Sequence, residues 1–173
     1  MAITQSIYEI VGWTAGRVFV QDEPITSGNY FYYASSNHTS AATFDPTKWK
    51  GLDLSTKPTY PTPEFVWTPN YPVKFPNEPK SQVVQFGDGY SQRTPGQINN
   101  NLLVLNLNFQ GRNQNEGTAI CHFLDVRKGT EAFYYTPPAP FRSKKLFICR
   151  QWEPSIDFYQ NYSITTKFEE VAA

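Results

Sequence analysis

Hydrophobic and polar residues alternate along much of this chain, and the period changes once. Leu103, Leu105, Leu107 and Phe109 alternate with Val104, Asn106, Asn108 and Gln110. That two-residue period predicts a strand with one apolar face and one increasingly polar face. Over residues 113–128 the pattern becomes helical. Ala119, Ile120, Phe123, Leu124 and Val126 recur at three- and four-residue spacing, mostly on one side. Asn113 followed by Glu116 makes a capping-box-like start, and Arg127-Lys128-Gly129 makes a stop. Gly117 weakens this helix by about 1 kcal/mol relative to alanine. Three more strands are predicted near residues 131–135, 145–152 and 162–171. The last alternates Tyr162, Ile164, Thr166 and Phe168 against Ser163, Thr165, Lys167 and Glu169.

Upstream, Val84-Gln85-Phe86-Gly87-Asp88-Gly89-Tyr90-Ser91-Gln92-Arg93 places Asp-Gly between two alternating runs. Asp-Gly adopts the positive φ of a two-residue hairpin turn, so a tight antiparallel hairpin is expected there. The order is therefore hairpin, long strand, one helix, then strands. One amphipathic helix against a mostly antiparallel sheet closes a small barrel or sandwich.

The stretch Thr56-Lys57-Pro58-Thr59-Tyr60-Pro61-Thr62-Pro63 has three prolines in six residues. Proline fixes φ and removes amide donors, so residues 56–64 read as a stiff, extended linker. It divides a small aromatic-rich β module, residues 1–55, from a larger unit, residues 65–173. The small module is expected to contain strands near 17–21 and 29–34, with Ser27-Gly28-Asn29 as a turn. Phe44-Asp45-Pro46-Thr47-Lys48-Trp49 follows as a looped end.

Composition agrees with a β protein rich in turns. Aromatic residues make up 16% and charged residues 17% of the 173, with 14 prolines. The formal net charge is zero, so no overall electrostatic footprint points to nucleic acid or an anionic membrane. No apolar run approaches the roughly 20 residues needed to span a bilayer, so membrane insertion is not expected. The first ten residues lack the basic start and apolar centre of a signal peptide, so a cytoplasmic origin is expected. Cys121 and Cys149 then read as free buried thiols rather than a disulfide.

Phe86-Gly87-Asp88-Gly89-Tyr90-Ser91-Gln92-Arg93 resembles the minor tail protein M family of lambda-like tailed bacteriophages. The resemblance runs from about residue 64 to 171. It includes Phe65-Val66-Trp67, Phe123-Leu124, Phe133-Tyr134-Tyr135-Thr136-Pro137-Pro138, Cys149-Arg150-Gln151-Trp152 and Phe168-Glu169-Glu170-Val171, in that order. It implies a tail-tube-like split antiparallel β-barrel or sandwich flanked by a helix. It also implies a virion protein of the distal tail tip, assembled in the host bacterial cytoplasm. Six copies would form a ring joining the tail tube protein to the distal hub proteins, with the tape-measure protein as a further partner. Residues 1–55 depart from the short members of that family. Tyr30, Tyr32 and Tyr33, Asn37-His38-Thr39-Ser40, Phe44 and Trp49 faintly resemble small chitin-binding-type modules. The alternative function is therefore a carbohydrate-binding module that recognises a host-surface glycan.

A catalytic reading needs convergent acid, base or nucleophile groups, and the sequence supplies few. Cys121 and His122 are adjacent on the helix, so their side chains diverge by about 100°. Further Cys or His at metal-ligand spacing is missing, so neither metal, cofactor nor enzyme activity is expected. Asp88 reads as a turn residue rather than a catalytic carboxylate. Gly87 marks a bend or a close backbone contact. Arg93 either pairs with a carboxylate on a neighbouring subunit or is a solvated surface charge. Phe86, Gly87, Asp88, Gly89, Tyr90 and Arg93 are thus the candidate assembly hairpin. Tyr30, Tyr32 and Trp49 are the candidate contacts to a glycan or partner. Each of those rings taken singly reads more readily as core than as platform, because so small a module must use its aromatics there.

Overall fold

A computed structural model describes residues 10–53, 62–77, 79, 81–96 and 101–172. Seven short strands occupy the first part: β1 Val11–Gly12, β2 Val18–Phe19, β3 Pro24–Ser27, β4 Tyr30–Ala34, β5 His38–Thr39, β6 Trp49–Lys50 and β7 Leu52–Asp53. Then come β8 Thr62–Phe65, β9 Asn70–Lys74, β10 Ser81–Gln85, β11 Ser91–Pro95 and β12 Val104–Arg112. The helix α1 Gln114–Arg127 precedes β13 Phe133–Tyr135, β14 Lys145–Phe158 and β15 Asn161–Glu170. The chain is mainly β with a single helix among the described residues, as its patterning predicts.

The larger unit is a seven-stranded sheet, in the order β7-β8-β13-β14-β15-β12-β9, curled into a half-barrel. Its pairs are antiparallel except β8 with β13, which run parallel. The alternation of β12 and β15 fixes their register: Leu105 opposes Phe168, Leu107 opposes Thr166, and Phe109 opposes Ile164. All six of these side chains are buried, on the face that α1 covers. A one-residue slip would carry the whole apolar set to the outer face, so the register is strongly specified.

Phe65 from β8 lies at the middle of the core. Its ring meets Trp67, Phe109, Phe123, Phe133, Tyr135 and Phe168 at centroid distances of 5.0 to 6.1 Å. Most of these pairs are edge-to-face, the arrangement that aromatic quadrupoles favour.

The helix follows its sequence signals. The Asn113 side chain accepts from the Glu116 amide, and Lys128 turns left-handed at the C-cap. Gly117 has a structural reason: a Cβ there would sit 2.8 Å from the Cβ of Tyr162. The helix is buried over a wider arc than one amphipathic stripe. Cys121 and His122 are covered as well as Ile120, Phe123 and Leu124, because α1 packs on the sheet and also meets β4 from the small module.

Three expectations need correction. The strand expected to end at Trp152 continues as β14 to Phe158. Pro154 does not stop it. Proline cannot donate to its partner strand, so opposite Ile164 its nitrogen faces outward, where a strand edge tolerates it. The hairpin loop holds three residues, not two: Phe86 N–H donates to the Tyr90 carbonyl at 2.8 Å, leaving Gly87, Asp88 and Gly89 between. The expected positive φ is present at Asp88 (71°) and Gly89 (78°). The third concerns the end of the proline-rich stretch. Residues 54–61 lie outside the described residues, but Thr62, Pro63 and Glu64 belong to β8, inside the sheet.

The small module has its own cluster of Phe19, Ile25, Tyr32, Ala34 and Trp49. Its four-stranded sheet runs β1-β3-β4-β6, with β2 and β5 paired beside it. At Gly51 the chain turns from β6 into β7, the edge of the large sheet. Gly51 has a φ of 102°, and a Cβ there would lie 2.7 Å from the Tyr33 ring. Only glycine fits such a position without displacing that ring.

Candidate assembly surfaces

The β10–β11 hairpin pairs with itself alone among the described residues, in register from Ser81 opposite Pro95 to Gln85 opposite Ser91. Every residue from 81 to 95 is exposed. Alternation puts Val84, Phe86, Tyr90 and Gln92 on one face, with Val83 and Arg93 on the other. Phe86 and Tyr90 lie across the loop, ring centroids 5.9 Å apart. An isolated two-stranded ribbon is at best marginally stable in water, so this one is suited to packing on something else. The structure thus brings Phe86, Gly87, Asp88, Gly89 and Tyr90 together at one tip, with Arg93 further down the ribbon. Gly87 has open space at its Cβ position and is not a point of close backbone approach.

A second ribbon escapes a reading based on strand periods. Beyond Trp152, β14 and β15 run on together as an arm with residues 153–160 exposed. Its apolar side chains Ile156, Phe158 and Tyr159 are 66%, 67% and 88% exposed. The signal was present in Ile156 and Phe158 ahead of Tyr159-Gln160, the turn between the two strands. Pro154 hid it.

The aromatic rings of the small module divide differently. Tyr32 and Trp49 are each 8% exposed and form part of its core. Phe44 stacks on Trp49 at 5.8 Å with the planes 11° apart, and Phe19 and His38 meet its edges. Tyr30 is half-buried against the same cluster. The three candidate contacts are therefore not brought together as one open platform.

Polar links tie the module to the large unit. Tyr33 belongs to the main core, and its Oη lies 2.8 Å from Nδ1 of His122 on α1. The hydroxyl and the imidazole share one hydrogen bond, whose direction is set by the imidazole tautomer. Burial, helped by the charge of Arg127, pushes the His122 imidazole down to about 4, so it is neutral at pH 7. The Phe31 ring meets the same imidazole edge-on at 4.9 Å. Asp22 accepts from the Trp67 indole at 3.0 Å and forms an ion pair with Lys50, whose ammonium lies 5.2 Å from the Trp67 ring centre.

The remaining reactive groups are enclosed. Cys121 and Cys149 are buried and form no disulfide, and burial pushes the Cys149 thiol up to about 12, far from a reactive thiolate. Among the described residues no three His, Cys, Asp or Glu side chains gather as a metal set would.

Comparison with known proteins adds a different kind of observation. The phage minor tail protein family matches residues 63–172. The chain is 30% identical over 107 residues to tail tip protein M of Escherichia phage lambda, covering 62% of this chain and 95% of that protein. The family match begins inside β8 and ends after β15. It therefore takes in both exposed ribbons, α1 and all of the large sheet except β7, and leaves out the small module.

Proposed function

Because this chain belongs to the phage minor tail protein family, we propose that it forms a ring at the tail tip that joins the tail tube to the distal hub and supports tail assembly. Membership makes it a structural protein of a bacteriophage tail and a component of the virion. The distal position is supported by similarity to a tail tip protein of phage lambda, and the ring of six copies is what the family resemblance implies. Its partners are further copies of itself, the tube protein, the hub proteins and the tape-measure protein, brought together in the host cytoplasm. The unit that builds the ring is the part that the family matches, residues 63–172, and the small module that precedes it is an addition.

The observation that carries this reading is the pair of ribbons, 81–95 and 153–160, whose apolar side chains are uncovered. Isolated exposed apolar residues are ordinary, whereas grouped ones on unsupported strands suit a protein interface. Identical subunits joined head to tail form a closed ring when the rotation between them closes.

The test is immunogold labelling of intact particles with antibody against the full chain, together with mass spectrometry of purified virions. Label confined to the distal end of the tail is expected. Label along the tube, or absence of the protein from purified particles, overturns the tip reading. The glycan alternative would need open faces on Tyr32 and Trp49, and their burial favours the structural reading. Glycan binding by the full chain that disappears in Tyr30→Ala would reverse that choice.

A further inference from the structure

We propose that the arm formed by β14 and β15 beyond Trp152 is the seat for the β10–β11 hairpin of a neighbouring copy of this chain. The inference rests on the ring reading and names the contact that would close it.

Four observations converge. Both ribbons are exposed in a single copy, so neither covers the other within one chain. From Trp152 to Phe158 the outer side of β14 has no backbone partner among the described residues, because β13 pairs only with Lys145, Leu146 and Phe147. An unpaired edge of this kind accepts a strand from another chain. Pro154 removes one outward amide and so limits the ladder to the positions around it.

The two ribbons also have matching faces. On the arm, Pro154 and Ile156 lie on one face, and Glu153, Ser155 and Asp157 lie on the other. On the hairpin, Val84, Phe86 and Tyr90 share one face, with Arg93 on the other. Laid side by side as one extended sheet, apolar meets apolar, and Arg93 meets the acidic face. Charge supports that pairing. Residues 153–163 carry Glu153 and Asp157 and no base, while Arg93 is the single base of residues 81–95. Neither Arg93 nor Glu153 forms an ion pair among the described residues. Because the two surfaces differ, the contact is heterologous and passes from copy to copy.

Cross-linking in assembled particles tests this. Phage carrying Val84→Cys, Ile156→Cys or both are purified and treated with a short bismaleimide. The native cysteines are buried and leave the background low. A ladder of multiples of this chain is expected from the double variant and unlinked chain from each single one. Particles that contain the protein in normal amount but give no ladder overturn the contact while leaving the ring reading intact. Linkage of Ile156→Cys to a different tail protein also overturns it. Absence of the protein from wild-type particles removes the ring reading itself. A charge exchange provides a second measurement that does not need the cysteine variants to assemble. Arg93→Glu is expected to lower the yield of infectious particles at least tenfold, and adding Glu153→Lys to restore most of it. A double variant no better than Arg93→Glu alone overturns the proposal.

Discussion

Tyr33 shows how much one side chain can carry. It lies in β4 of the small module, yet its ring packs with Trp67 and Phe123 in the main core and its hydroxyl bonds His122. Tyr33→Phe keeps the packing and removes that hydrogen bond. A loss of about 1 kcal/mol is expected in urea unfolding of the full chain. His122 makes the same contact depend on pH. Its folded pKa of about 4 lies below the usual 6.5, so its contribution to stability is complete above pH 6.5 and is lost as pH falls towards 4. The expected loss is about 3 kcal/mol over that window. It is measured as the difference in acid sensitivity between the wild type and His122→Gln, whose unfolding should change less across the same range. Equal acid sensitivity in the two proteins would remove His122 as the cause.

At the scale of elements, α1 and the two ribbons obey opposite rules. The helix is held by what it touches, and Gly117 is the tightest point. Gly117→Ala gains about 1 kcal/mol in helix propensity, but its methyl group would lie 2.8 Å from the Tyr162 Cβ and 2.9 Å from its Cγ. Overpacking of that kind costs about 1 to 3 kcal/mol, so a lower melting temperature is expected. Tyr162→Gly, which removes the Cβ as well as the ring, should turn the same glycine substitution from harmful to helpful, which a double-mutant cycle measures. The ribbons carry little of the fold. Phe86→Ser with Tyr90→Ser should leave unfolding within about 0.5 kcal/mol of wild type, since both side chains are exposed. The same pair should sharply reduce incorporation into tails. Two residues inserted between Asp88 and Gly89 should likewise disturb assembly more than folding, and normal tails from that variant would remove the hairpin from the assembly mechanism.

On the scale of the molecule, the chain joins a family sheet to a module that the family match does not cover. The joint is made of buried groups: Tyr33 with His122, Asp22 with Trp67 and Lys50, and Gly51 beneath the Tyr33 ring. Asp22→Ala leaves the Lys50 ammonium and the Trp67 indole without their acceptor. A loss of about 1 to 3 kcal/mol is expected, read as a lower urea midpoint for the full chain. An unchanged midpoint would mean that water replaces the carboxylate and that this link does not hold the module in place.

The sequence by itself determined most of what depends on neighbours along the chain, the length of the Asp88-Gly89 loop excepted. The two-residue period of β12 and β15, the Asn113 cap, the left-handed stop after Arg127 and the positive φ at Asp88 and Gly89 are local properties, and each is present. The ordered motifs that carry the family likeness were legible for the same reason. Tertiary structure alone decided which rings face inward. Tyr32 and Trp49 lean towards core by sequence but still admit a platform, until Phe19, His38 and Phe44 close around Trp49. It decided that a proline at position 154 extends an edge instead of ending a strand, because only the position of β15 says which way that nitrogen points. It also decided that His122 is enclosed, since the cover comes from residues some ninety positions earlier in the chain. Periodicity records the side of an element that avoids water. What lies against that side is settled by contacts between residues far apart in sequence, which a local pattern does not encode.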